Sequence, residues 1–178
     1  MRASGYERLD SDWYVEAAWI VDALLDKEPI GKGTSCWDPS CGAGNIPKRL
    51  AARGIECAAS DIADRGFGQV RDFFDCGEEA SAEIIISNPP YANIEKYIEH
   101  ALLLASDRVI VLARLALLEG RARRLFFETT PLARVYVSSG RVSMPPGGSD
   151  VRAAGGSVAF AWFVWQHGWL DKPVLDWV

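Results

Sequence analysis

Short apolar runs that stop at polar turns, alternating with stretches of helical periodicity, constrain this chain more than any other feature. Ile84-Ile85-Ile86 is apolar at consecutive positions, so a strand there buries both of its faces. Strands are read at 34–37, 55–60, 70–74, 83–87, 108–112, 133–137 and 158–165. Helices are read at 46–53, 94–105 and 121–127, and a lead-in followed by a helix spans 12–25, with Trp19, Ile20, Ala23 and Leu24 at helical spacing. Strands joined by helical crossovers make a mostly parallel sheet with helices on both faces. The last two strands have no helix between them, which predicts an antiparallel pair at one edge of a seven-stranded sheet.

A length of 178 residues fits one domain. No apolar run reaches the roughly 20 residues that span a bilayer, and the first residues lack an apolar leader segment, so a cytoplasmic protein is expected. Cys36, Cys41, Cys57 and Cys76 form no CxxC pair and lie far from His100 and His167, so reduced thiols near the core are expected rather than a metal site. The net charge of −5 argues against a protein that coats nucleic acid by neutralising phosphates. Positive charge does gather locally in Arg114, Arg121, Arg123, Arg124, Arg134 and Arg141. The stretch 138–157, rich in Gly, Pro and Ser, reads as a long loop, the kind that faces a substrate when it is ordered.

Two constellations carry chemistry. Asp38-Pro39-Ser40-Cys41-Gly42-Ala43-Gly44 follows a strand and opens a helix, where glycines let the backbone turn sharply and approach a ligand. Asp61 closes the next strand, a position from which an acid can bind ribose hydroxyls. The third glycine of a dinucleotide fingerprint is absent, and no Gly-Lys-Ser/Thr of a phosphate loop follows. An acid at Asp38 would repel phosphate and suit a cationic or amino-bearing ligand; the plainer alternative is a β-turn with Asp38 capping the helix.

The second constellation, Asn88-Pro89-Pro90-Tyr91, ends an apolar strand. Two prolines stiffen the backbone and remove two N–H donors, leaving carbonyl oxygens to accept from an NH₂ group. Asn88 adds a side-chain acceptor, and Tyr91 can stack on a planar ring.

The first constellation resembles motif I of the class I S-adenosylmethionine (SAM)-dependent methyltransferases. Asn88-Pro89-Pro90-Tyr91 resembles motif IV of the amino-methyltransferases, chiefly the N6-adenine DNA methyltransferases of small phage and prophage type, in which the glycine motif also comes first. The resemblance extends over nearly the whole chain. It implies a Rossmann-like class I methyltransferase fold with SAM as cofactor. Asp38, Ser40, Gly42 and Gly44 would hold its methionine part, Asp61 its ribose, and Asp72 and Phe73 its adenine. Asp12-Trp13-Tyr14-Val15-Glu16 resembles the N-terminal segment that closes over the SAM carboxylate, with Tyr14 in contact. Glu16 and Ala17 stand where that family has Thr-Pro.

For catalysis, the Asn88 side chain and the Pro89 carbonyl are expected to accept from the hydrogens of an aromatic amine, favouring a more tetrahedral nitrogen. Fixed dipoles then stabilise the charge that builds there. Pro90 stiffens the turn. Tyr91 would stack on a flipped base, with Phe160 or Trp162 as a second contact unless both are core residues. The substrate is expected to be adenine in DNA, ahead of an RNA amine and a protein glutamine; a non-catalytic SAM- or nucleic-acid-binding module is the alternative of another class. Arg121, Arg124 and Arg141 are candidate phosphate contacts, or else lie on a solvated face. The chain has no room for a separate target-recognition domain, so the loop 138–157 or a specificity partner would do the reading. Trp162, Trp165 and Trp169 are expected to cover the sheet edge, and a homodimer there is conceivable.

Overall fold

The computed structural model describes residues 13–148, 156 and 158–178. The described chain runs α1 (Ala18–Lys27), β1 (Cys36–Asp38), α2 (Asn45–Ala52), β2 (Cys57–Asp61), β3 (Gln69–Val70), β4 (Ala82–Ser87), α3 (Ile94–Leu104), β5 (Ala105–Arg114), α4 (Arg121–Thr129), β6 (Leu132–Val137), β7 (Phe160–Gln166) and β8 (Val174–Trp177). One sheet holds eight strands in the order β3-β2-β1-β4-β5-β7-β6-β8. The first five are mutually parallel; β7 runs antiparallel to both β5 and β6, and β8 is parallel to β6. The mixed, mostly parallel α/β class expected from the alternation is what forms.

Period-two side-chain alternation splits the core in two. Ile84 and Ile86 face α1 and α2, packing with Ile20, Leu24, Ile46 and Leu50. Ile85 faces the other way, with Ile98 and Ala101 of α3 and Phe126 of α4. Each face of the sheet is therefore sealed by helices, and all three isoleucines are fully buried.

Four expectations are corrected. The sheet has eight strands rather than seven, because β8 escapes sequence reading: Val174, Leu175 and Trp177 are all more than half exposed, so no buried face marks the strand. The antiparallel pair is consequently not at the edge, since β8 covers β6 on its outer side. Trp162 and Trp165 do not cover an edge either. Both lie fully buried inside β7, with indole N–H groups donating to the Ile20 carbonyl at 2.9 Å and to Thr130 Oγ1 at 3.1 Å, as buried indoles require. The third strand is also shorter than read: it stops at Val70, and Phe73–Asp75 forms a 3₁₀ turn that the Asp72 side chain caps by accepting from the Phe74 amide at 2.9 Å.

Strand order places the site. The chain runs outward from β1 through β2 to β3, then returns to β4 on the other side of β1. Their carboxyl ends diverge into separate loops at this switch point, where open α/β sheets leave a crevice. Both constellations sit on it: one leaves β1, the other β4.

Candidate active site

Cys36 pairs with Ile84 and Trp37 with Ile85, which brings the ends of β1 and β4 side by side. Ser87 Oγ then donates to Asp38 Oδ1 at 2.7 Å, and the Ser40 amide reaches the same oxygen at 3.2 Å. Asp38 is 1% exposed. Burial is the main influence on it, and the hydrogen bonds offset this only partly, with Glu16 and Asp61 adding like charge; its pKa is pushed up to about 8. Ser40 Oγ lies 3.4 Å from the Tyr97 hydroxyl.

The glycine turn is built as the sequence demands. Gly42 and Gly44 hold φ of +52° and +82°, which favours glycine. A Cβ on Gly44 would overlap the Phe67 ring, and one on Gly42 would sit 2.5 Å from the Trp13 indole nitrogen. Asp61 braces this turn: its Oδ2 accepts from the Gly42 amide at 3.0 Å and its Oδ1 from the Ala63 amide at 3.1 Å. Each oxygen keeps a lone pair for another donor.

A pocket opens over these groups, lined by Asp38, Ser40, Gly42, Asp61, Asp72, Phe73, Tyr14 and Asn88. Those eight expected residues therefore share one cavity. Gly44 lies just behind the lining, at the helix start. Trp13 and Glu16, within the N-terminal segment marked by the resemblance, also line the pocket; sequence reading missed Ile62, Arg65 and Phe74. Phe74 is half exposed, and Ile62 more so; their signal was an apolar side chain one or two positions after an acid, Ile62 after Asp61 and Phe74 after Asp72. Arg65 lies over the Trp13 ring at 4.4 Å, and its Nε is 3.8 Å from Asp61 Oδ1.

The N-terminal segment forms one wall. Val15 donates to the Pro145 carbonyl and Gly147 to the Trp13 carbonyl, both at 2.9 Å, and Tyr14 bridges Pro146. The beginning of the long loop thus pairs with residues 13–15. Asp12, 149–155 and Ser157 lie outside the described residues.

Asn88 stands at the end of β4 between two environments. On the pocket side, its Nδ2 donates to the Tyr14 carbonyl at 3.0 Å and to Glu16 Oε2 at 2.9 Å. On the other side, its Oδ1 accepts from the Tyr91 hydroxyl at 2.8 Å. The Tyr91 ring meets Phe160 at 6.3 Å and the Arg114 guanidinium at 5.3 Å. Pro89 is buried, and Pro90 lines the pocket. Of the two candidate second contacts, Phe160 is beside Tyr91, whereas Trp162 belongs to the core under α1.

The arginines do not form one cluster. Arg123 pairs with Glu95 at 2.7 Å and Arg124 with Glu128 at 2.6 Å; Arg134 turns inward to Glu28. Arg121 is exposed on α4, and Arg141 reaches the Gly156 carbonyl at 3.5 Å, away from that helix in sequence.

No family model and no curated protein sequence matches the chain. Solved structures do match. A candidate RNA methyltransferase from Pyrococcus horikoshii aligns with a TM-score of 0.66 at 12% identity, over 91% of this chain and 91% of that one. The modification subunit of a candidate type I restriction enzyme from Vibrio vulnificus aligns at 0.64 and 11% identity, over 95% of this chain. This chain spans 48% of that subunit's length. Magnesium protoporphyrin IX methyltransferase from Synechocystis, solved with SAM bound, aligns at 0.52 and 17% identity, over 82% of this chain and 78% of that one.

The fold is that of the class I SAM-dependent methyltransferases. At these identities the likeness is one of fold. Among the described residues, no helix is long and apolar enough to cross a membrane.

Proposed function

We propose that this chain is a SAM-dependent amino-methyltransferase acting on N6 of adenine in DNA. The single observation that carries this reading is the position of Asn88: its amide nitrogen faces the pocket wall and its amide oxygen the Tyr91 hydroxyl.

The residues present fit SAM. Asp38 is a buried carboxyl group lining the pocket, and burial pushes its pKa upward. A carboxyl group held this way favours a ligand bearing positive charge, which the sulfonium and amino groups supply. Asp38 and Ser40 would hold the methionine part, Asp61 the ribose through its spare lone pairs, and Asp72 with Phe73 and Phe74 the adenine. When bound, SAM supplies a methyl group on a good leaving group. The chain's own task is then orientation. Asn88 Oδ1 has a second lone pair beside the one used by Tyr91. That lone pair and the Pro89 carbonyl would accept from the target amine, and Tyr91 with Phe160 would hold its ring. No general base is required in this scheme.

The second reading is an exocyclic amine in RNA, favoured by the near full-length likeness to the Pyrococcus horikoshii protein. The type I subunit, by contrast, is about twice as long as this chain. In the DNA reading, the loop 138–157 or a partner would read the target.

The test is transfer of labelled methyl from SAM to unmethylated duplex DNA, with total RNA and protein extract in parallel, followed by mass spectrometry of the labelled product. N6-methyladenine in DNA is the expected outcome; label confined to RNA or glutamine would replace the substrate. Asn88→Ala should bind SAM normally and lose transfer by about 100-fold or more. Loss of SAM binding in a folded Asn88→Ala protein would remove Asn88 from the proposed role.

A further inference from the structure

Glu16 is 7% exposed, and its Oε2 accepts from Asn88 Nδ2. The other Nδ2 hydrogen goes to the Tyr14 carbonyl. Neither acceptor needs to donate, and a backbone carbonyl cannot. The amide is therefore fixed in one orientation, nitrogen toward the N-terminal wall and oxygen toward Tyr91. A flipped amide would place Oδ1 against the Tyr14 carbonyl, two acceptors with no hydrogen between them.

We infer that Glu16 is the positioning residue for Asn88: its carboxyl oxygen, by accepting from Nδ2, holds the Asn88 amide so that Oδ1 faces the acceptor amine. This rests on the amino-methyltransferase reading above. A hydrogen bond to the amide N–H draws electron density toward the carbonyl, and the effect is strongest where water is excluded. Glu16 itself is held in place by its own backbone: its carbonyl accepts from Asn45 Nδ2 at 3.0 Å, which ties the segment to the start of α2. Tyr91 completes the arrangement from the opposite side, donating to the same Oδ1 without using both of its lone pairs. The acid thus acts through Asn88 and need not touch the substrate.

The experiment pairs kinetics with a readout that needs no turnover. Wild type, Glu16→Gln and Glu16→Ala are assayed with SAM and whichever of duplex DNA, total RNA or a glutamine peptide accepts label. In parallel, ¹⁵N-labelled ligand-free protein reports hydrogen exchange of the Asn88 side-chain amide. Glu16→Ala is expected to lower kcat about tenfold while KM for SAM and for the acceptor stays within about twofold. Its Asn88 amide should exchange faster than in wild type. Glu16→Gln retains a carbonyl acceptor and should recover most of kcat. If Glu16→Ala does not fold, the swap decides: Asn88→Asp sets two carboxylates face to face and should lower Tm, and Glu16→Gln added to it should restore Tm by supplying a donor.

An unchanged kcat in Glu16→Ala from an active wild type overturns the inference and leaves the methyltransferase reading standing. So does a defect confined to KM for SAM, which would make Glu16 a cofactor contact. An unaltered Asn88 amide, or a swap with no coupling in Tm, overturns it as well. Absence of transfer by wild type to all three acceptors removes the reading and the inference together.

Discussion

Glu28, at the end of α1 against β5 and β6, and Asp38, at the end of β1, are buried to nearly the same degree, 3% and 1% exposed, yet their protons behave oppositely. Burial pushes both pKa values upward. At Glu28, Arg134 Nε and Nη2, Arg108 Nη1 and the Tyr136 hydroxyl all donate, and together they outweigh burial and hold the carboxyl below its ordinary range. At Asp38 the donors are a serine hydroxyl and one amide, and the neighbouring charges, Glu16 and Asp61, are negative. One acid is complete within the protein. The other lacks a counter-charge, an expensive arrangement in a core, and the missing charge is the kind that the proposed ligand brings. A buried carboxyl group alone says little about function; the sign of what surrounds it separates a structural acid from a binding acid.

Removing the complete acid should have the largest effect. Glu28→Ala leaves Arg108 and Arg134 without their shared partner and is expected to cost about 3–5 kcal/mol of stability, seen as a lower urea midpoint. A loss below about 1 kcal/mol would mean that Asp107 and Gln166, which also bond these arginines, suffice alone. Because the folded Glu28 pKa is lowered, its contribution is present above the ordinary value of 4.5 and fades as pH falls through the folded value.

Asp38→Asn should show the opposite pattern. The variant is expected to weaken SAM binding about tenfold by calorimetry while raising the Tm of the ligand-free protein at pH 8. The sign follows from the raised pKa: the stability linked to Asp38 is complete below 3.8 and is lost as pH rises toward about 8. In wild type the same proton opposes a cationic ligand, so SAM affinity should climb with pH and level off above about 8. An affinity independent of pH between 6 and 8, as about a two-unit window around neutrality, would break the contrast with Glu28.

The smallest effect belongs to the surface. Arg124 is paired with Glu128 on exposed α4, and Arg124→Ala should leave the urea midpoint essentially unchanged. If α4 faces DNA, the variant should also reduce the salt slope of DNA binding by about one. An unchanged slope would take Arg124 out of the substrate face.

Much of this was legible because it is local. The apolar isoleucines of β4, the glycines that need positive φ, and the prolines that stop a strand impose their conformations through adjacent residues, and the strand–helix alternation then fixes the mostly parallel sheet. The position of Asp38 beside Ser87 was not legible: it comes from the strand order, which sets β4 next to β1. The sequence also marked Glu16, as a departure from the Thr-Pro of the resembling family, without saying what it touches. Contacts between distant segments were not legible: Glu16 meets Asn88 across 72 positions and Arg134 meets Glu28 across 106. A run of arginines looks like a basic patch until folding sends Arg134 inward and pairs Arg123 and Arg124 with carboxylates. Tryptophans near the C-terminus look like an edge cover until β7 carries two of them into the middle of the sheet. β8 has no periodicity to betray it, since its pairing is made by backbone and its side chains stay in water. Sequence by itself determined the class of fold and the two loops that meet at its switch point, because backbone preferences and hydrophobic period act over a few residues. Tertiary structure alone decided which buried charges are paired and which are left open, because that depends on side chains brought together from opposite ends of the chain.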